Sequence, residues 1–98
     1  MNRWFDELGE GLAAAASRRG VRIDPPTLDP AVAAELLELA RVAAHTQERR
    51  FAPLASFLAG VTAERVRAGG GDASGHSLAE LVREVRQGLE AEAAPPSA

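Results

Sequence analysis

Proline and glycine cut this chain at four places: Gly20 to Pro26, Asp29-Pro30, Pro53 and Gly69 to Gly75. Between the cuts, apolar residues recur at helical spacing. Each proline of Pro25-Pro26 pushes its predecessor towards extended geometry, so residues 21–26 cannot be helical. Pro30 and Pro53 suit the opening of a helix, where an amide has no partner. The apolar residues, 46% of the chain, are chiefly Ala and Leu, with few aromatic and few β-branched side chains, which favours packed helices over a sheet. The expected fold class is therefore all-α, a compact bundle of about four helices. Ninety-eight residues leave room for one core, so residues 1–93 are expected to form a single helical domain and residues 94–98 a frayed tail.

The first helix is expected over about residues 2–18. Trp4, Phe5, Leu8, Leu12, Ala15 and Ala16 share its apolar face, while Gly9 and Gly11 weaken it by roughly 1 kcal/mol each. Asp29 and Pro30 open the second helix, with Ala33, Leu36, Leu37, Ala40 and Ala44 as its inner stripe. The third is expected to start at Pro53 and run to about Ala68, burying Leu54, Phe57, Leu58 and Val61. Gly69 to Gly75 then reads as a flexible linker. The fourth starts at Ser77, whose spacing to Glu80 makes a capping box, and turns Leu78, Leu81, Val82, Val85 and Leu89 to one side. The resulting core comprises Trp4, Leu8, Leu12, Leu36, Leu37, Ala40, Leu54, Phe57, Leu58, Leu81 and Val85.

Several kinds of chemistry are excluded by residue type. With no cysteine there is no disulfide, thiolate nucleophile or sulfur-ligated metal. All eleven basic residues are arginine, so neither a Schiff base nor a Walker lysine is available, and Gly69 to Gly75 lacks the ending of a phosphate loop. A formal net charge of −3, with arginines interleaved among acids, argues against nucleic acid. No apolar run approaches a membrane span and the first residues are acidic where a signal peptide is basic, so a cytoplasmic location is expected. His45 and His76 lie in different segments without ligand spacing, so no metal site and no cofactor are expected.

The most distinctive polar residues stand between the second and third helices. If the second helix runs on far enough, Arg41, His45 and Glu48, spaced by four and three, share one face. A carboxylate beside an imidazole tunes a general base, and an arginine beside both holds a phosphate or carboxylate; the alternative is a solvated polar face with local ion pairs. Glu48-Arg49-Arg50 precedes the amides of the third helix, which makes either an anion-binding corner or a junction where these side chains cap neighbouring helix ends. No residue is expected to be catalytic. Arg41, His45, Glu48, Arg49 and Arg50 remain as binding candidates.

His45-x-x-Glu48-Arg49, followed by Ala52-Pro53-Leu54 and Phe57-Leu58, together with Trp4 and the Leu36 to Arg41 run, resembles a small actinobacterial domain family of unknown function found alone or fused to the molybdenum-cofactor guanylyltransferase. The resemblance covers roughly residues 4–68. Arg50 and Phe51 stand where other members have proline and a small residue, and Val42 where they have an acid. The resemblance implies a setting, the maturation of molybdopterin guanine dinucleotide, and no catalytic residue. The function expected is a non-enzymatic helical accessory or protein-interaction module. Its partner would be the guanylyltransferase or a formate dehydrogenase maturation protein. The rivals are a phosphate-bearing ligand held at the junction, and a homodimerising bundle with no ligand.

Overall fold

The computed structural model describes residues 2–93 and is all-α. Its helices are α1 (Arg3–Arg18), α2 (Pro30–Thr46), α3 (Phe51–Ala68) and α4 (Gly75–Ala93). There is no strand among the described residues. The expected tail, residues 94–98, lies outside the described residues. Of the described residues, those up to Pro30 form one compact unit and those from Ala31 onward another.

In the first unit, Asn2 caps α1 by accepting a hydrogen bond from the Phe5 amide at 3.2 Å. Trp4 and Phe5 pack edge to face with ring centroids 5.0 Å apart. Gly9 has a role that its helix propensity hides. The extended segment folds back so closely that a Cβ on Gly9 would lie 2.4 Å from the Pro26 carbonyl oxygen. Gly9 is the buried residue of α1, whereas Trp4, Leu8 and Leu12, expected in the core, are exposed.

The second unit packs α2, α3 and α4 around a small core of Leu39, Val42, Ala79 and Val82. The inner face of α2 is thus the line through Glu35, Leu39 and Val42. Of the expected inner residues, Leu36, Ala40 and Leu81 are half-buried, while Leu37, Leu54, Phe57, Leu58 and Val85 are exposed. The reason is legible in α2 itself. Ala, Val and Leu occupy nearly its whole circumference, so hydrophobicity alone does not choose a face. A charged contact to α4 chooses it instead.

Two of the helix ends share one backbone device. At the end of α1, Gly20 adopts φ +82° while its amide reaches Ser17 O at 2.9 Å and the Val21 amide reaches Ala16 O at 3.0 Å. At the end of α3, Gly70 adopts φ +83°, its amide reaches Arg67 O at 3.1 Å, and the Gly71 amide reaches Val66 O at 2.9 Å. Both are Schellman stops, in which a left-handed glycine lets two amides satisfy the last carbonyls of the helix.

The start of α4 is built into the same loop. Ser74 Oγ accepts from the Ser77 amide at 3.3 Å, and Asp72 accepts from the Ser74 amide at 2.9 Å and the Ser77 hydroxyl at 2.5 Å. Residues 69–75 therefore form a helix stop and a helix start in sequence, in place of the expected flexible linker. Ser74 takes the capping place expected for Ser77, and α4 begins two residues earlier than that expectation. Glu80 pairs with Arg83 rather than closing a capping box. The bonds from Ser77 and Ser74 hold the Asp72 carboxyl below its usual range.

Candidate functional site

Glu35 is the one buried charged residue among those described, 8% exposed at the interface of α2 and α4. Burying a carboxylate is costly unless it is paired and hydrogen-bonded, and Glu35 is both. Its Oε1 accepts from Arg83 Nε at 3.1 Å and its Oε2 from Arg86 Nε at 2.9 Å. The chain of charges continues in both directions. Arg83 also donates to Glu80 at 2.8 Å and Arg86 to Glu90 at 3.2 Å; Arg41 bridges Glu90 at 3.6 Å and Glu38 at 3.0 Å. Bonding to Arg86, reinforced by Arg83, lowers the Glu35 carboxyl below its ordinary value against the opposing effect of burial, and Glu35 in turn raises Arg86. The arrangement fixes the register of α4 on α2.

Arg41, His45, Glu48, Arg49 and Arg50 are not brought together as one cluster. Arg41 belongs to the ladder just described and turns to α4. His45, exposed in the last turn of α2, lines a shallow polar depression with Thr46, Gln47, Leu89, Glu92 and Ala93, and no hydrogen bond from the described residues reaches its ring. Because α2 ends at Thr46, Glu48 falls outside the helix and does not share the face of Arg41 and His45. Its carboxylate bonds Arg50 Nε at 3.0 Å, both side chains being largely exposed. Arg49 makes no ion pair among the described residues.

The amides at the head of α3 are occupied as well. Phe51 N donates to Glu48 O at 3.0 Å, Ala52 N donates to Arg49 O at 3.2 Å, and Pro53 has no N–H. A phosphate at a helix N-terminus needs amides that point outward and have no partner. The junction closes on itself through its own backbone. Among the described residues no group of three or more His, Asp or Glu is placed to hold a metal ion.

The remaining features are apolar: in the first unit Trp4, Leu8 and Leu12 of α1 are exposed, and in the second a broader apolar surface lies on α3. On α3, Leu54, Phe57 and Leu58 are 59%, 69% and 64% exposed and, with half-buried Val61, form a stripe along the outer side of the helix. Leu58 also borders a groove of about 240 Å³ between α3 and α4, lined by Ala55, Ala59, Thr62, Leu81, Val85 and Leu89 with Leu39 at its floor. Helical spacing of 54, 57, 58 and 61 makes one continuous surface. Three large side chains so exposed and so close together exceed the scattered single residues that ordinary surfaces carry.

The family model described as a domain of unknown function, DUF6457, matches residues 1–97. The chain belongs to the DUF6457 family. Comparison with curated proteins and with solved structures returns no match.

Two features of this DUF6457 domain escape hydrophobic periodicity. Glu35 stands in a run of Ala, Val and Leu, and a lone acid among apolar residues is the available sign that the face is buried against a cation. Arg83 and Arg86, three apart on α4, are its counterpart. The α3 stripe was visible as apolar spacing, but spacing cannot distinguish a face that is buried in the fold from one that awaits a partner. No helix of the described residues is long and apolar enough to cross a membrane.

Proposed function

We propose that this domain is a non-enzymatic protein-interaction module that serves molybdenum-cofactor maturation in the cytoplasm, and that it engages its partner through the apolar side of α3. The observation that carries the interaction reading is the exposure of Leu54, Phe57 and Leu58 beside an open apolar groove. Apolar patches of several hundred Å² on soluble domains commonly mark docking surfaces. The occupied amides at the head of α3 weigh against a phosphate-bearing ligand there. The maturation setting rests on the resemblance of residues 4–68 to domains fused to the guanylyltransferase. That resemblance makes the guanylyltransferase, or a formate dehydrogenase maturation protein, the first partner to test.

The test is co-expression of the chain with each of these two proteins from its own source, followed by affinity capture and size-exclusion chromatography. Wild type should co-elute with one of them, and Phe57→Ala with Leu58→Ala should abolish the complex while circular dichroism stays helical. Calorimetric titration with GTP and with molybdopterin guanine dinucleotide completes the test. Micromolar nucleotide binding that Arg49→Ala removes would overturn the proposal in favour of a ligand site at the junction, and a concentration-dependent dimer lost in Phe57→Ala would overturn it in favour of self-association.

A further inference from the structure

Residues 31–93 contain seven arginines, and five of them are tied to carboxylates: Arg41, Arg50, Arg67, Arg83 and Arg86. Arg49 and Arg65 make no ion pair among the described residues. These two exposed cations bracket the apolar stripe of α3. Arg49 precedes the helix by two residues, and Arg65 follows Leu58 by seven, on the line that runs through 54, 58 and 61. Sixteen residues at helical rise set them about 24 Å apart, the length of a four- to five-turn helix. The neighbouring pairs Glu48 with Arg50 and Glu64 with Arg67 are each neutral, which leaves Arg49 and Arg65 beside them as the cations without a carboxylate partner among the described residues.

Resting on the interaction reading above, we propose that the outer stripe of α3 docks an amphipathic helix of a partner protein whose apolar residues cover Leu54, Phe57 and Leu58 and whose two ends carry carboxylates facing Arg49 and Arg65. Apolar anchors supply the affinity of such a contact, and rim charges set its orientation and specificity. An α3-to-α3 pairing of two copies fits the surface poorly. Paired antiparallel, two α3 stripes would set Arg49 of each against Arg65 of the other, so like charges would meet at both ends.

The experiment uses the full chain and two designed 18-residue amphipathic peptides that share Leu and Phe anchors at helical spacing and differ only at their ends, Glu-Glu in one and Lys-Lys in the other. Binding is read by fluorescence anisotropy at low salt. The Glu-ended peptide should bind wild type about fivefold to tenfold more tightly than the Lys-ended one, the effect of two exposed ion pairs. The order should reverse for the Arg49→Glu, Arg65→Glu chain and vanish for Arg49→Gln, Arg65→Gln, and Phe57→Ala should weaken both peptides. Equal binding of the two peptides, or an order unchanged by charge reversal, would overturn the inference. Capture of the guanylyltransferase by a chain indifferent to end charge would sink this inference alone. An end-charge preference in a chain that captures neither maturation protein would sink the proposed setting alone.

Discussion

Leu39 and Phe57 are both large apolar helical residues, and the structure assigns them opposite roles. Leu39 is 5% exposed at the centre of the second unit, while more than two-thirds of the Phe57 surface is in water. Truncating Leu39 to Ala removes three buried carbons, which at about 0.8 kcal/mol each is roughly 2.4 kcal/mol of transfer free energy. Leu39 floors the open groove, so the space left is filled by water and neighbours and the cavity contribution stays small. The total should lie at about 2–3 kcal/mol. That is a large share of the roughly 5–15 kcal/mol available to a domain of this size, and it would lower the melting temperature by about 10–20 °C. Phe57→Ala, in contrast, should cost less than about 1 kcal/mol, as exposed positions do. Urea denaturation followed by far-ultraviolet circular dichroism measures both, and an unchanged slope shows that the same surface unfolds. A Phe57→Ala chain destabilised as much as Leu39→Ala would refute the exposure of α3, and a Leu39→Ala chain as stable as wild type would refute the burial of this face of α2.

Glu35 contributes to the acid limit of stability together with Glu64 and Asp72, whose carboxyls are also lowered in the fold: its contribution should be complete above the ordinary value of 4.5 and be lost as pH falls through the depressed one. Glu35→Gln should flatten the melting temperature against pH in that acidic range, and an unchanged profile would contradict the assignment. Gly70→Ala forces a side chain into the left-handed region and should destabilise by about 1–2 kcal/mol, whereas Gly88→Ala, in helix with open space around it, should stabilise by about 0.5–1 kcal/mol; thermal melts of the two should move in opposite directions. Gly9→Ala drives a methyl group into the Pro26 carbonyl and should lower the melting temperature despite the better helix propensity of alanine, while Gly11→Ala, with nothing near it, should raise it.

Helix number and approximate extent were legible because they depend on local rules. Pro30 marks the start of α2, Gly20 the end of α1, and Gly69 to Gly71 the end of α3. What local rules cannot supply is the facing of a helix that is apolar on all sides. For α2 the choice between Leu37 and Leu39 is made by Glu35 and its two arginines from a helix almost fifty residues away. The loop before α4 departs from the expected linker for a related reason. Its glycines suggest freedom, but Gly70 is fixed by a left-handed turn and Asp72 and Ser74 are fixed by their bonds to Ser77. At the candidate site, the spacing of Arg41, His45 and Glu48 implies one shared face, but α2 stops at Thr46 and separates Glu48 from Arg41 and His45.

The most direct test of the central claim is an amide chemical-shift map of the isotope-labelled chain, recorded as the guanylyltransferase or the formate dehydrogenase maturation protein is added. The interaction surface proposed here requires the largest changes at Leu54, Phe57, Leu58, Val61 and Arg65, with Glu35 and Arg86 unmoved because the α2 to α4 ladder stays intact. Changes confined to His45, Glu48, Arg49 and Arg50, with α3 beyond Pro53 silent, would contradict it.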